Sequence, residues 1–122
     1  MGTSNLPPGA PTPTIPLTPD AQTAYEKLYD AAQTAIENTT DGDLLESLND
    51  SRLAIADVLT ADNMYRLNQN TVTAKALVDK INMANDSLKA LAASVAAIAS
   101  KIKAFGDLVA GINKVLALVS AF

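Results

Sequence analysis

All six prolines of the chain lie within its first nineteen residues, and none occurs in the 103 residues that follow Pro19. Proline disfavours helix interiors and central strands because its ring fixes φ and removes a backbone donor. Residues 1–17, which mix proline with threonine, serine and glycine, are therefore predicted to form a disordered Pro/Thr-rich N-terminal tail. Only Gly42, Gly106 and Gly111 interrupt the remainder, so residues 18–122 favour helix throughout.

Local signals divide residues 18–122 into helices. Thr18 is a candidate N-cap with Pro19 at the first helical position, and apolar residues then recur at spacings of three and four to about Asn38. Asp43 and Glu46 resemble a capping box at the start of a second helix. The end of that helix is less clear, because residues 60–71 fit either a short helix with a turn or a polar continuation.

The longest apolar pattern starts at Ala74 and runs to Val119 at spacings of three and four, which is typical of a helix packed along a seam. A continuous helix of this length would measure about 70 Å and would not fit a compact bundle. Gly106 suits a C-cap and Asp107 a new N-cap, so we predict helices over 72–105 and 107–121, with one kinked helix as the alternative. The predicted fold is an all-α antiparallel bundle of three or four helices in one domain, residues 18–122.

The chain contains no histidine, cysteine or tryptophan, which excludes imidazole and thiolate metal ligands, cysteine nucleophiles, histidine bases and disulfides. No phosphate-binding glycine loop or nucleophile elbow is present, and a tyrosine–lysine acid or base has no spacing to support it. Four carboxylates can pair across helices, but metal sites of that kind normally also use histidine; these are Asp30, Glu37, Asp57 and Asp62. We expect a non-catalytic protein with no cofactor and no metal. The net charge of −4 also argues against nucleic-acid binding.

Residues 88–122 hold 24 apolar side chains among 35, and no charge occurs from Ala90 to Ser100. A helix that is apolar or small on every side is ordinarily buried on several sides. The alternative is that its outer face is covered only when another chain docks. We therefore expect a binding or assembly module that contacts a protein partner or a second copy of itself. The candidate contact residues are Ala93, Ala96, Ala97, Ser100, Leu118 and Phe122.

The distribution of charge supports a second interpretation. Residues 1–87 carry twelve acidic and five basic side chains, whereas residues 88–122 carry four lysines and one aspartate. A weakly cationic apolar segment is typical of helices at an anionic bilayer surface. The alternative function is thus a membrane-active or lipid-binding protein in which residues 88–122 insert at the interface, or else a carrier of an apolar ligand. The candidate lipid contacts are Lys89, Lys101, Lys103 and Lys114.

Other features say less about function. The sequence begins without a signal peptide, and the lack of cysteine suits several compartments; we favour a secreted or extracytoplasmic location with the targeting signal outside this sequence. Asn38, Asn49 and Asn85 begin glycosylation sequons that matter only on a eukaryotic secretory route. Tyr25 and Tyr29 are expected to place one ring in the core and leave the other half exposed.

Overall fold

A computed structural model describes residues 15–119, and these form four helices joined by connections of three or four residues. The helices are α1 (Pro19–Glu37), α2 (Gly42–Leu67), α3 (Thr71–Ala99) and α4 (Lys103–Leu118). Each helix contacts the next one along the chain, and α4 returns to contact α1. Because the connections are short, consecutive helices are antiparallel. The described residues therefore form a four-helix bundle, which confirms the predicted fold class.

The first helix has the predicted boundaries. The Thr18 hydroxyl accepts a hydrogen bond from the Ala21 amide at 3.1 Å, and Asn38 is the C-cap. The second helix begins differently, because the Asp41 carboxylate accepts from the Leu44 amide at 3.0 Å and is the N-cap. The predicted capping box starting at Asp43 was wrong. That residue lies in the first turn of α2, where its negative charge interacts favourably with the helix dipole.

The ambiguous region after residue 60 is a continuation of α2, which ends at Leu67. The next helix begins at a capping box formed by Asn70 and Thr73, whose side chains each bond to the other's backbone amide. The polar residues at 68–70 thus form the connection between α2 and α3.

The break between α3 and α4 lies at residues 100–102, so the predicted helix boundary at Gly106 was wrong. Gly106 lies inside α4, and a Cβ at this position would come within 2.9 Å of the Ala99 carbonyl oxygen. The glycine therefore permits α4 to approach the end of α3. Ile102 is the N-cap of α4 and makes no side-chain capping bond. No capping residue marked this boundary in the sequence.

We expect Gly106→Ala to lower the free energy of unfolding by about 1–2 kcal/mol, although alanine has the higher helix propensity. The reason is that the contact at 2.9 Å is with backbone, which cannot move as a flexible side chain can. The matched control is Gly42→Ala, where a Cβ meets nothing within 4 Å and stability should hold or rise. Urea unfolding followed by circular dichroism measures both. Equal changes in the two variants would show that the close approach does not exist.

The core takes most of the large apolar side chains of the C-terminal segment. These side chains, at most 2% exposed, are Leu88, Leu91, Val95, Phe105, Leu108, Ile112 and Val115. On α1, alanines fill many of the buried positions, and small side chains let helices approach closely. A Cβ at Gly111 of α4 would lie 3.1 Å from the Leu28 Cδ1 of α1. The bundle thus closes by a tight contact between its first and last helices.

A short segment before α1 is fastened to the end of α2. Leu17 is 2% exposed, and its amide donates to the Asp62 Oδ1 at 2.8 Å. Arg66 donates both to the Asp62 Oδ2, at 2.8 Å, and to the Leu17 carbonyl. We call Leu17, Asp62 and Arg66 the Asp62 clamp. Residues 15–17, placed in the tail by the sequence analysis, are therefore packed on the bundle, while the rest of the predicted tail lies outside the described residues.

Candidate functional site

Helix α3 is covered by its neighbours on two sides and open on a third. It contacts α2 and α4, and its buried residues face the core. Ala93, Ala96, Ala97 and Ser100 are all exposed, and their spacings of three, four and seven place them on one side of the helix. We call these four residues the alanine face. The structure brings all four together, as predicted, and the expectation that this helix is buried on several sides was wrong for its outer surface.

Two lysines stand at the ends of the alanine face. Lys89 is exposed one turn before Ala93, and Lys101 is exposed directly after Ser100. Neither forms an ion pair within residues 15–119. Lys103 differs, because it donates to the Asp107 Oδ2 at 2.8 Å, and this hydrogen bond with the nearby negative charge raises the pKa of Lys103. The face is therefore uncharged along its length and positively charged at both ends.

The remaining predicted contact residues lie elsewhere. Lys114 and Leu118 line a groove between α1 and α4, together with Asp20 and Lys27. Leu118 is 44% exposed there. The structure thus separates these two from the alanine face, because they lie on the side of α4 that adjoins α1. Phe122 lies outside the described residues.

Most of the large apolar residues of the C-terminal segment are in the core, and Ile102 and Leu118 are the exposed exceptions among residues 88–119. Insertion of residues 88–119 at a lipid interface would therefore require the bundle to open. None of the helices in residues 15–119 combines the length and hydropathy of a membrane-spanning segment.

A second surface feature was not predicted from the sequence. Between α1 and α2 lies a groove lined by Tyr29, Ala56 and Leu59, with Glu26 and Asp30 at its border. The Arg52 guanidinium lies 5.7 Å from the centre of the Tyr29 ring, and it donates to the Gln33 side chain. We call this the acidic groove. Its residues come from two helices, so no single stretch of sequence reveals it; the half-exposed tyrosine was the only signal.

Polar side chains are also buried in the core. The Tyr25 hydroxyl donates to the Asn85 Oδ1 at 3.3 Å, and the Asn85 Nδ2 donates to the Val119 carbonyl at 3.1 Å. This network connects α1, α3 and the end of α4, away from solvent. Tyr25 is buried and Tyr29 is half-buried, which confirms the expected division of the pair. The Asn85 sequon is inaccessible in the folded chain, whereas Asn38 and Asn49 are exposed.

The carboxylates considered as metal ligands do not come together. Among residues 15–119, no group of three acidic side chains is placed to hold a metal ion. Asp62 is engaged by Leu17 and Arg66, and Asp57 lies 3.8 Å from Lys80. The acidic side chains of the described residues therefore serve as caps, clamps and surface charges.

Stability should fall at alkaline pH because of Tyr25. Burial raises the pKa of this phenol above its ordinary value of 10.0. The folded state holds the phenol proton more tightly than the unfolded state does. The stability that this difference provides is complete below the unfolded-state pKa, and it is lost by about 1.4 kcal/mol per pH unit as the pH rises above that value. Tyr25→Phe should remove this contribution to the fall of the free energy of unfolding with pH. Tyr29→Phe is the control that retains it. Urea midpoints measured across alkaline pH test the prediction, which fails if both variants lose stability in parallel.

No protein-family model, no curated protein sequence and no solved structure matches the chain. The surfaces of the bundle itself are therefore the basis for any functional conclusion.

Proposed function

We propose that this protein is a non-catalytic interaction module, and that the alanine face is the surface on which it receives a helix of another chain. The observation that supports this proposal is the exposed side of the charge-free stretch from Ala90 to Ser100, on a helix whose other sides are packed. An exposed helix face in a soluble bundle is normally charged or polar. Alanine along a whole face is more typical of a helix contact.

The chemistry of the face suits helix packing. Small side chains allow two helix axes to approach to about 8 Å, the short end of the usual range. Alanine also loses no rotamer entropy on burial. Lys89 and Lys101 would orient a partner that bears acidic side chains at matching positions. Because the face has no large aromatic anchor, we expect a contact of modest affinity.

Arginine substitution tests the proposal. Ala97→Arg places a bulky charge in the middle of the alanine face, whereas Ala76→Arg makes the same change at another exposed position of α3. Both substitutions leave helix propensity almost unchanged. Size-exclusion chromatography of native extracts of the source cells, together with the pure protein at high concentration, reports the assembled form.

We expect the unchanged protein and Ala76→Arg to elute ahead of the single chain, and Ala97→Arg to shift towards it, with affinity reduced at least about tenfold. If the unchanged protein elutes as a single chain in extract and in pure form, or if both variants behave alike, the proposal is wrong.

A further inference from the structure

The order of helices around the bundle separates its charges. Because α1 packs side by side with α2 and α4 and lies across the core from α3, the α1–α2 pair and the α3–α4 pair form opposite sides. The helical residues 19–67 carry ten acidic and three basic side chains, whereas residues 71–118 carry six lysines and three aspartates. One side of the bundle is thus strongly acidic and the opposite side is weakly basic.

The acidic side also has a surface that complements the alanine face. The acidic groove offers an apolar floor of Tyr29, Ala56 and Leu59. Glu26 and Asp30 border it and are exposed, without an ion-pair partner among residues 15–119. Arg52 lies against the Tyr29 ring and bonds to Gln33 and Asn49. With two carboxylates and one guanidinium beside it, the groove carries a net negative charge.

The spacing of the charges matches as well. Glu37 continues the exposed acidic side of α1 beyond Glu26 and Asp30. At 1.5 Å per residue, Glu26 and Glu37 are about 16 Å apart along α1. Lys89 is about 15 Å from Ala99, the last residue of α3, and Lys101 follows two residues later in the connection. An alanine face laid along α1 would therefore meet carboxylates near both of its lysines.

We infer that the partner of the alanine face is a second copy of this chain, which receives it in the acidic groove. This inference rests on the proposed function and specifies the partner. A symmetric contact between two alanine faces is less favourable, because it would bring the lysines of both copies together. A contact between the front of one bundle and the back of the next repeats from copy to copy, so it builds a ring or an open series.

Charge reversal on each surface tests the inference by sedimentation velocity at low ionic strength. The groove variant is Glu26→Lys with Asp30→Lys, and the lysine variant is Lys89→Glu with Lys101→Glu. Each variant alone should associate at least about tenfold more weakly than the unchanged protein. An equal mixture should associate much more strongly than either variant alone, since each face then meets a groove of opposite charge, reversed or unreversed.

Each variant has a control that changes the net charge of the protein by the same amount at other positions. Asp57→Lys with Asp79→Lys matches the groove variant; Asp57 faces Lys80, and Asp79 lies about four turns before the alanine face. Lys27→Glu with Lys114→Glu matches the lysine variant, and both line the α1–α4 groove. The controls should associate as the unchanged protein does, and association should weaken as salt is added.

Three outcomes overturn the inference. If the groove variant alone associates as strongly as the unchanged protein, the contact is a symmetric one between alanine faces. If the mixture fails to associate, the groove does not receive the alanine face. If the unchanged protein sediments as a monomer up to millimolar concentration, no second copy binds, and the Ala97→Arg comparison in extract separately decides whether the alanine face binds a different protein.

Discussion

Asp62→Ala is expected to lower the free energy of unfolding by about 2–4 kcal/mol. The carboxylate is 1% exposed and accepts from both the Leu17 amide and the Arg66 side chain, each at 2.8 Å. Its removal leaves the buried Leu17 amide without an acceptor and takes away the charged partner of Arg66, which keeps only its bond to the Leu17 carbonyl. A typical domain has only about 5–15 kcal/mol of stability, so this loss is large. Urea unfolding at neutral pH measures it.

Two variants make the measurement specific to the Asp62 clamp. Asp57→Ala removes an exposed carboxylate whose nearest cation is 3.8 Å away, and it should change stability by less than about 0.5 kcal/mol. Asp62→Asn retains an oxygen that can accept from the Leu17 amide but cannot also accept well from Arg66. The stability of Asp62→Asn should therefore lie between those of Asp62→Ala and Asp57→Ala. An Asp62→Ala protein as stable as Asp57→Ala would show that the clamp is not formed.

Asn85→Ala should lower the free energy of unfolding by a similar amount, about 2–4 kcal/mol. This side chain is fully buried and bonds to Tyr25 on one side and to the Val119 carbonyl on the other. Its removal leaves a cavity and two polar groups without partners. Because the bond to Val119 fixes the end of α4, hydrogen exchange should also speed up in the last turn of that helix.

A double-mutant cycle isolates the network from the cavity. Tyr25→Phe should lower the free energy of unfolding by less in the Asn85→Ala background than in the unchanged protein, since the hydrogen-bond partner of the Tyr25 hydroxyl is already absent. Asn113→Ala, at an exposed position of α4, controls for loss of an amide and should be nearly neutral. Strictly additive effects of Tyr25→Phe and Asn85→Ala would mean that the two side chains do not interact.

Local sequence signals predicted the fold well where the physical cause is local. Thr18 and Pro19 start α1 as expected, and the apolar seam after Ala74 supplies buried residues such as Leu77, Ile81 and Ile112. Gly106 misled the prediction because a glycine that ends a helix and one that admits a neighbouring helix look alike in sequence. The difference depends on the position of Ala99, which only the tertiary structure supplies.

Longer-range features could not be predicted. Leu17 and Asp62 are 45 residues apart, and Tyr25 and Asn85 are 60 residues apart. No periodicity connects such pairs. The alanine face was predictable because its residues lie within three turns of one helix, whereas the acidic groove depends on two helices meeting side by side. Lys114 and Leu118 lie in the same C-terminal segment as the alanine face, but they adjoin α1. Closeness in sequence gave no sign of this separation.

Site-specific photocrosslinking tests the role of the alanine face most directly. A photoreactive amino acid is placed at position 97, or at position 76 as the control, and the protein is irradiated at its natural concentration in the source cells. Covalent adducts to another chain, or to a second copy, should form from position 97 and be nearly absent from position 76. Equal yields at the two positions, or adducts from position 76 alone, would contradict a contact through the alanine face.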